Sequence, residues 1–302
     1  MTAIVLGSAA GGGFPQWNCN CDVCRLAWAG DPRVRARTQA SLAVSADRKR
    51  WTLLNASPDL RLQIQSTPAL QPRDGKEGNK RGSPIDAVVL TGAEIDQTAG
   101  LLSLRERSPF TLMATAATLA AVAGNPMFGA LAPDVVRRRA ISPGERFAIG
   151  EGLTAELFMV PGKVPLYLEG ETPATAEETA ANVGVEISDG RSRLAYVPGA
   201  AAMTPALRER LTRADAILFD GTLFTDDEMI RAGLGEKTGR RMGHMPLDGP
   251  DGSIAALDGL SARRIFVHIN NTNPILVDGS PQRQRVNAAG WEVAQDGMEI
   301  SL

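Results

Sequence analysis

The chain has 302 residues, 43% of them hydrophobic, with a formal net charge of -2 and a pI near 5.8. That supports a full core and a single domain over residues 1–302, and it lacks the basic footprint of a nucleic-acid binder. No apolar run reaches the roughly 18 residues of a membrane span, so neither nucleic acid nor membrane is expected as a partner. The basic runs at Arg33-Arg35-Arg37, Arg73 to Arg81 and Arg137-Arg138-Arg139 are short and are read as solvated faces.

In chain order, Thr2–Gly7 is expected as a first strand, with no export signal visible. Gly7-Ser8-Ala9-Ala10-Gly11-Gly12-Gly13 follows, and its spacing fits neither nucleotide loop, so the glycines are read as a tight turn. The turn leads to all three cysteines, Cys19, Cys21 and Cys24, inside residues 18–24. A C-x-C-x2-C run is poorly placed for disulfides but presents three sulfurs to a zinc tetrahedron. Thiols held for metal, with none paired, fit a reducing cytoplasm.

Ser41–Val44 and Trp51–Asn55 read as a hairpin, and Ser57 as the N-cap of a short helix that Pro58 opens and that runs through Ile64. Gln71–Ser83 reads as a surface loop, Asp86–Leu90 as a strand running into Thr91–Gln97, and Thr98–Arg105 as helical. Leu153–Val160, Val183–Ile187, Leu194–Val197, Ala216–Phe219 and Ile265–Val267 are expected strands; Pro205–Arg213 and Ser280–Ala289 are expected helices. Trp291–Val293 is read as beginning the last strand. This alternation predicts an α/β fold of two sheets packed face to face with helices outside.

Ligand-type residues collect at four strand ends, residues 91–97, 197–200, 220–222 and 268–273. Glu94 and Asp96 either share a cation or serve as a helix cap and a solvated acid. Only two histidines exist. His268 ends a strand and precedes Asn270, Asn271 and Asn273, whose amides can orient neighbouring ligands. His244 follows Gly243 and could exchange a proton near neutral pH. No G-x-S-x-G elbow supports a serine hydrolase.

The segments Gly7–Gly13, Pro15-Gln16-Trp17-Asn18-Cys19, Leu54–Asp59, Phe219-Asp220-Gly221-Thr222, Lys237–His244 and Val267–Pro274 resemble the pyrroloquinoline quinone biosynthesis protein B family, end to end. The resemblance implies a metallo-β-lactamase-like αββα sandwich. Hydrolases of that fold carry H-x-H-x-D-H, whereas the matching stretch here is Gly92-Ala93-Glu94-Ile95-Asp96-Gln97; related sequences often have a histidine at Gln97. Two histidines cannot build a dinuclear zinc site, and carboxylates favour harder ions.

The resemblance therefore implies an active-site Fe2+ on Glu94, Asp96, Asp220 and His268. Asp96, His244 and His268 are the catalytic residues, His244 as acid/base. Structural Zn2+ is expected on Cys19, Cys21 and Cys24, with Asn271, a poor zinc ligand, in the fourth place and Asp22 or water as alternatives. Arg240 and Arg241 either pair with substrate carboxylates or form surface salt bridges. The implied activity is that of a non-haem iron hydroxylase, an oxidoreductase acting with O2 on the tyrosine ring of a small peptide-derived, Glu-Tyr-derived precursor. The alternatives are a metal-poor carrier serving the quinone or its transport, and a residual metallohydrolase. Other enzymes of the pathway and a homodimer are left open as partners.

Overall fold

Apolar side chains at alternate positions along each strand face two different apolar layers, and this period-2 pattern dictates the architecture. In the computed structural model, which describes residues 1–73, 80–169 and 177–302, the pattern is satisfied by two seven-stranded sheets. Strands β1 (Thr2–Gly7), β2 (Ser41–Ser45), β3 (Trp51–Leu54), β4 (Ile85–Val89), β5 (Phe110–Ala114) and β6 (Val136–Ala140) lie in the first. The second holds β7 (Arg146–Ala148), β8 (Thr154–Gly162), β9 (Glu177–Ser188), β10 (Arg193–Val197), β11 (Ala216–Asp220), β12 (Arg263–Val267) and β13 (Trp291–Val293). The final strand, β14 (Glu299–Ser301), returns to pair with β1.

The sheet orders, β14-β1-β2-β3-β4-β5-β6 and β13-β12-β11-β10-β9-β8-β7, repeat one plan. In each, an antiparallel run (β14 to β3, β7 to β10) continues into a parallel run (β3 to β6, β10 to β13). Ala3, Val5, Leu42 and Val44 meet Leu157, Val185, Leu194 and Leu218 between the sheets. The intervening residues face outward under helices α1 (Asp22–Trp28), α2 (Leu60–Ser66), α3 (Ile95–Thr98), α4 (Ala116–Ala123), α5 (Pro205–Leu211), α6 (Glu228–Arg231), α7 (Ser253–Ala256) and α8 (Pro281–Ala288). Leu60 and Val122 cover the outer face of the first sheet; Leu207, Leu211 and Val286 cover that of the second, where Phe266 and Trp291 stack with ring centroids 3.9 Å apart. The result is the αββα sandwich expected above. No helix among the described residues is long and apolar enough to cross a membrane.

Several local expectations change. Ser57 caps nothing: its buried hydroxyl has no partner, and α2 starts only at Leu60. Trp291–Val293 is an edge strand of the second sheet, and the last strand is β14, seated on the other sheet. Arg37, expected on a solvated face, is buried and donates to Ala294 O (3.3 Å) and Arg35 O (3.4 Å), whereas Arg137, Arg138 and Arg139 are exposed as expected, yet form the edge strand β6, where charge discourages further pairing. Residues 74–79, inside the loop expected at 71–83 and the basic run at 73–81, lie outside the described residues.

Glu228, which opens α6, is buried, accepting from Phe224 N at 2.7 Å and Thr272 Oγ1 at 2.5 Å. Burial pushes its carboxyl up to about 7 from 4.5, against those hydrogen bonds. The folded chain therefore keeps a proton that the unfolded chain releases, so this contribution is full below about pH 4.5 and is lost as pH rises through about 7. Urea unfolding of wild type and Glu228→Gln should show the variant gaining on wild type by roughly 3 kcal/mol between pH 4.5 and 8. A difference that does not change with pH would contradict this assignment.

Candidate functional site

The parallel strands of both sheets deliver their carboxyl ends to one end of the sandwich. Asp220 closes β11 with no solvent exposure. A carboxylate so placed must recover its lost hydration from protein donors. Its Oδ1 accepts from Thr222 N (3.1 Å) and Thr222 Oγ1 (2.6 Å), and its Oδ2 from Ala200 N (2.9 Å) and His244 Nδ1 (2.7 Å). Burial works to raise the Asp220 pKa, but the charge and hydrogen bond of His244, with His268 and Thr222, outweigh it and hold the carboxyl below its usual range.

His268 follows β12 in a left-handed backbone conformation, φ 58°. Few side chains sit there, histidine among the more tolerated. Hydrogen bonds from Ile269 N to Ser8 O (2.9 Å) and from Asn270 N to Thr222 O (3.1 Å) pin the turn. The turn aims the imidazole inward, with Nδ1 2.9 Å from Thr222 Oγ1 and Nε2 2.9 Å from Asp96 Oδ2. Because Thr222 gives its one proton to Asp220, its oxygen accepts from His268 Nδ1, and the Asp96 carboxylate accepts from Nε2. This arrangement favours the doubly protonated ring. Burial lowers its pKa, yet the Asp96 hydrogen bond and the charges of Asp96, Asp220 and Glu94 leave it raised. Asp96 is likewise lifted by burial and drawn back further by His268 and His244, to a net lowering.

His244 stands beside His268, ring centroids 5.2 Å apart and 22° between planes. It reaches this place because Gly243, at φ 90°, turns the chain after residues Arg240–Met242. Asp220, His244 and His268 offer ligand atoms all within 4.8 Å of one another, with Asp96 attached through His268. Two imidazoles and two carboxylates suit one divalent cation of the harder sort better than two zinc ions. A cation taking His268 Nε2 would replace the proton now shared with Asp96.

The expected ligand Glu94 does not join this set. Residues two apart at a helix start face different ways, so Asp96 turns to His268 while Glu94 lies 3.4 Å from Lys163 Nζ. Gln97 is not a ligand either: its Oε1 accepts from Glu94 N at 3.1 Å and closes the first turn of α3. Arg240 points away, its guanidinium on the carbonyls of Ala201 (3.4 Å) and Asp251 (3.3 Å), whereas Arg241 lines the pocket. Sequence reasoning missed Thr222 as the hub joining both histidines, and Lys163, whose signal was a lone lysine just past the end of a long strand.

The glycine turn after β1 does what was expected of it: Gly12 and Gly13, at φ 93° and 71°, bend the chain toward the cysteines. Cys19 and Cys24 are buried, and Cys21 caps α1 by accepting from Cys24 N at 3.4 Å. The three sulfurs lie within 4.8 Å of one another. Asn271 sits over them, its Nδ2 3.1 Å from Cys19, 3.3 Å from Cys24 and 3.8 Å from Cys21, where the sequence placed a fourth group. Asp22 is exposed and pairs with Arg25 instead. Burial, with the neighbouring thiols, pushes the Cys21 thiol up to about 12, so only a cation makes three adjacent thiolates favourable there. Ligand type and clustering match a structural zinc site.

Comparison with known proteins agrees with this architecture. Residues 50–269 match the family model of the beta-lactamase superfamily domain. Coenzyme PQQ synthesis protein B of Methylobacterium nodulans is 57% identical over 303 residues, covering 100% of both chains. A crystal structure of Zn2+-bound PqqB from Methylobacterium extorquens superposes with a TM-score of 0.97 at 54% identity, covering 100% of both chains. A diphosphatase of the PhnP family, 22% identical with a TM-score of 0.67 over 100% of this chain and 97% of its own, shares the fold.

The sulfur site yields a direct expectation. Cys24→Ser should lose about one equivalent of zinc per chain by elemental analysis and lower the unfolding midpoint, because binding energy at such sites is folding energy. A variant retaining the zinc content of wild type would show that these sulfurs do not hold it.

Proposed function

Because the chain belongs to the coenzyme PQQ synthesis protein B family of the beta-lactamase superfamily, and so takes part in pyrroloquinoline quinone biosynthesis, we propose that it is an iron-dependent oxygenase hydroxylating the tyrosine ring of the Glu-Tyr-derived precursor. The observation that supports this reading is the donor set, Asp96, Asp220 and His268, with His244 beside it as a proton acceptor. It is too poor in imidazole for a dinuclear hydrolase and rich in the oxygen donors that iron accepts.

Asp96, Asp220 and His268 would hold the ion, and Cys19, Cys21 and Cys24 a separate structural zinc. Bound Fe2+ would supply the activation of dioxygen that a phenol ring alone does not offer. The chain's own groups do the rest. Asp220 fixes which nitrogen of His244 carries a proton by accepting from Nδ1, leaving Nε2 free to take a proton from the substrate phenol. Thr222 holds both rings in register from one oxygen. The pocket, about 300 Å³, is at the small end of the range for small-molecule sites and fits a substrate the size of a modified dipeptide.

Protein loaded anaerobically with Fe2+, then given dioxygen and the tyrosine-bearing precursor, should yield a product heavier by one or more oxygen atoms. Asp96→Ala should weaken iron binding by at least about 100-fold and stop product formation, while zinc at the sulfur site stays at the wild-type level. Failure of the iron-loaded wild type to add oxygen would overturn the reading.

A further inference from the structure

The same pocket has a charged wall the metal chemistry does not use. Three cations, Lys163, Lys237 and Arg241, line it against two carboxylates, Glu94 and Glu169. Lys163 Nζ is committed, 2.6 Å from Glu169 Oε1 and 3.4 Å from Glu94 Oε1. Gly243 leaves it room, for a side-chain carbon there would stand only 3.0 Å from Lys163 Cγ. Lys163 largely satisfies Glu169: it holds that carboxyl below its usual range, and Lys237 and Arg241 add their charges.

Arg241 is left with something to give. Its side chain is 38% exposed, and its inner nitrogen, Nη1, has no hydrogen-bond partner among the described residues, with Glu169 Oε2 at 3.8 Å. The exposed part of the guanidinium lines the pocket with donors to spare, and a planar carboxylate is the acceptor whose geometry fits its fork. Its sequence neighbour Arg240 does not line the pocket and directs its guanidinium to the carbonyls of Ala201 and Asp251. The positive excess of this wall thus resides on Arg241 and Lys237.

The geometry points to a carboxylate anchor: Arg241, assisted by Lys237, binds a carboxylate of an acidic aromatic substrate and so directs its ring toward His244 and His268. Lys163 acts as a positioning residue that holds Glu94 in this wall and off the metal. This deepens the oxygenase reading and rests on it only for the kind of substrate. The anchor also gives a physical role to a substrate bearing several carboxylates, since one anchored acid group fixes which end of the molecule faces the reacting centre.

Pyrroloquinoline quinone, a tricarboxylate, and its trimethyl ester serve as probes in calorimetric titrations of the full chain with its metals in place. Wild type should bind the free acid in a salt-sensitive way, and Arg241→Gln should weaken that binding at least 10-fold, Lys237→Gln by a smaller factor. The ester should bind weakly and equally to wild type and variants. Unchanged zinc content and unfolding midpoint in Arg241→Gln exclude a folding defect. Equal affinity of wild type and Arg241→Gln for the free acid, equal affinity of wild type for acid and ester, or no saturable binding of the acid by wild type would each overturn the anchor. Absence of oxygen addition by protein that still binds the acid through Arg241 would remove the oxygenase reading and leave the anchor standing.

Discussion

A carboxylate with no solvent exposure, Asp220, is the constraint on which the site depends. Removing a charged carboxylate from water is expensive, and only several well-placed donors offset it. Here they come from three segments: the turn after β10 through Ala200, the turn after β11 through Thr222, and the glycine-rich stretch through His244. Satisfying one buried oxygen pair therefore locates three loops relative to one another. Thr222 extends the same network to His268, and His268 extends it to Asp96 on the other half of the chain.

The turn at residues 268–273 carries two tasks at once. Its first residue faces the pocket, and Asn271, three residues on, covers the cysteine sulfurs. Asn273 ties the turn to β11 by donating to Gly221 O at 2.9 Å and Thr222 O at 3.3 Å, while Thr272 donates to Glu228. A sulfur-bound zinc would thus brace, from behind, the segment that holds His268 in its left-handed conformation. The polar residues after a buried strand are explained by this double duty: each amide has a backbone or sulfur partner within the turn's own neighbourhood.

Charge is sorted across the pocket. Buried acids and imidazoles form one network, while Lys163, Lys237 and Arg241 accompany Glu94 and Glu169. The division comes from the short turn of α3, which separates Glu94 from Asp96 although only Ile95 lies between them. Had both acids faced one way, the pocket would have combined three carboxylates around a single cation with little left to orient a substrate.

The strand pattern and the sandwich were legible in the sequence because alternation is local, and β1, β10 and β12 fall close to where alternation put them. The short edge strands β7 and β14 were not, since three residues have no period of their own and become strands only by pairing with a neighbour. The same divide separates the two candidate sites. Three cysteines within seven residues declare a metal loop by themselves, and a chain with two histidines rules out an imidazole-rich centre. Which acid meets which histidine, and which of two adjacent arginines faces the pocket, depended on contacts such as Asp96 with His268, 172 residues apart. Spacing along the chain determines chemistry where ligands share one loop; where they arrive on separate strands, only the packing of the two sheets decides their partners.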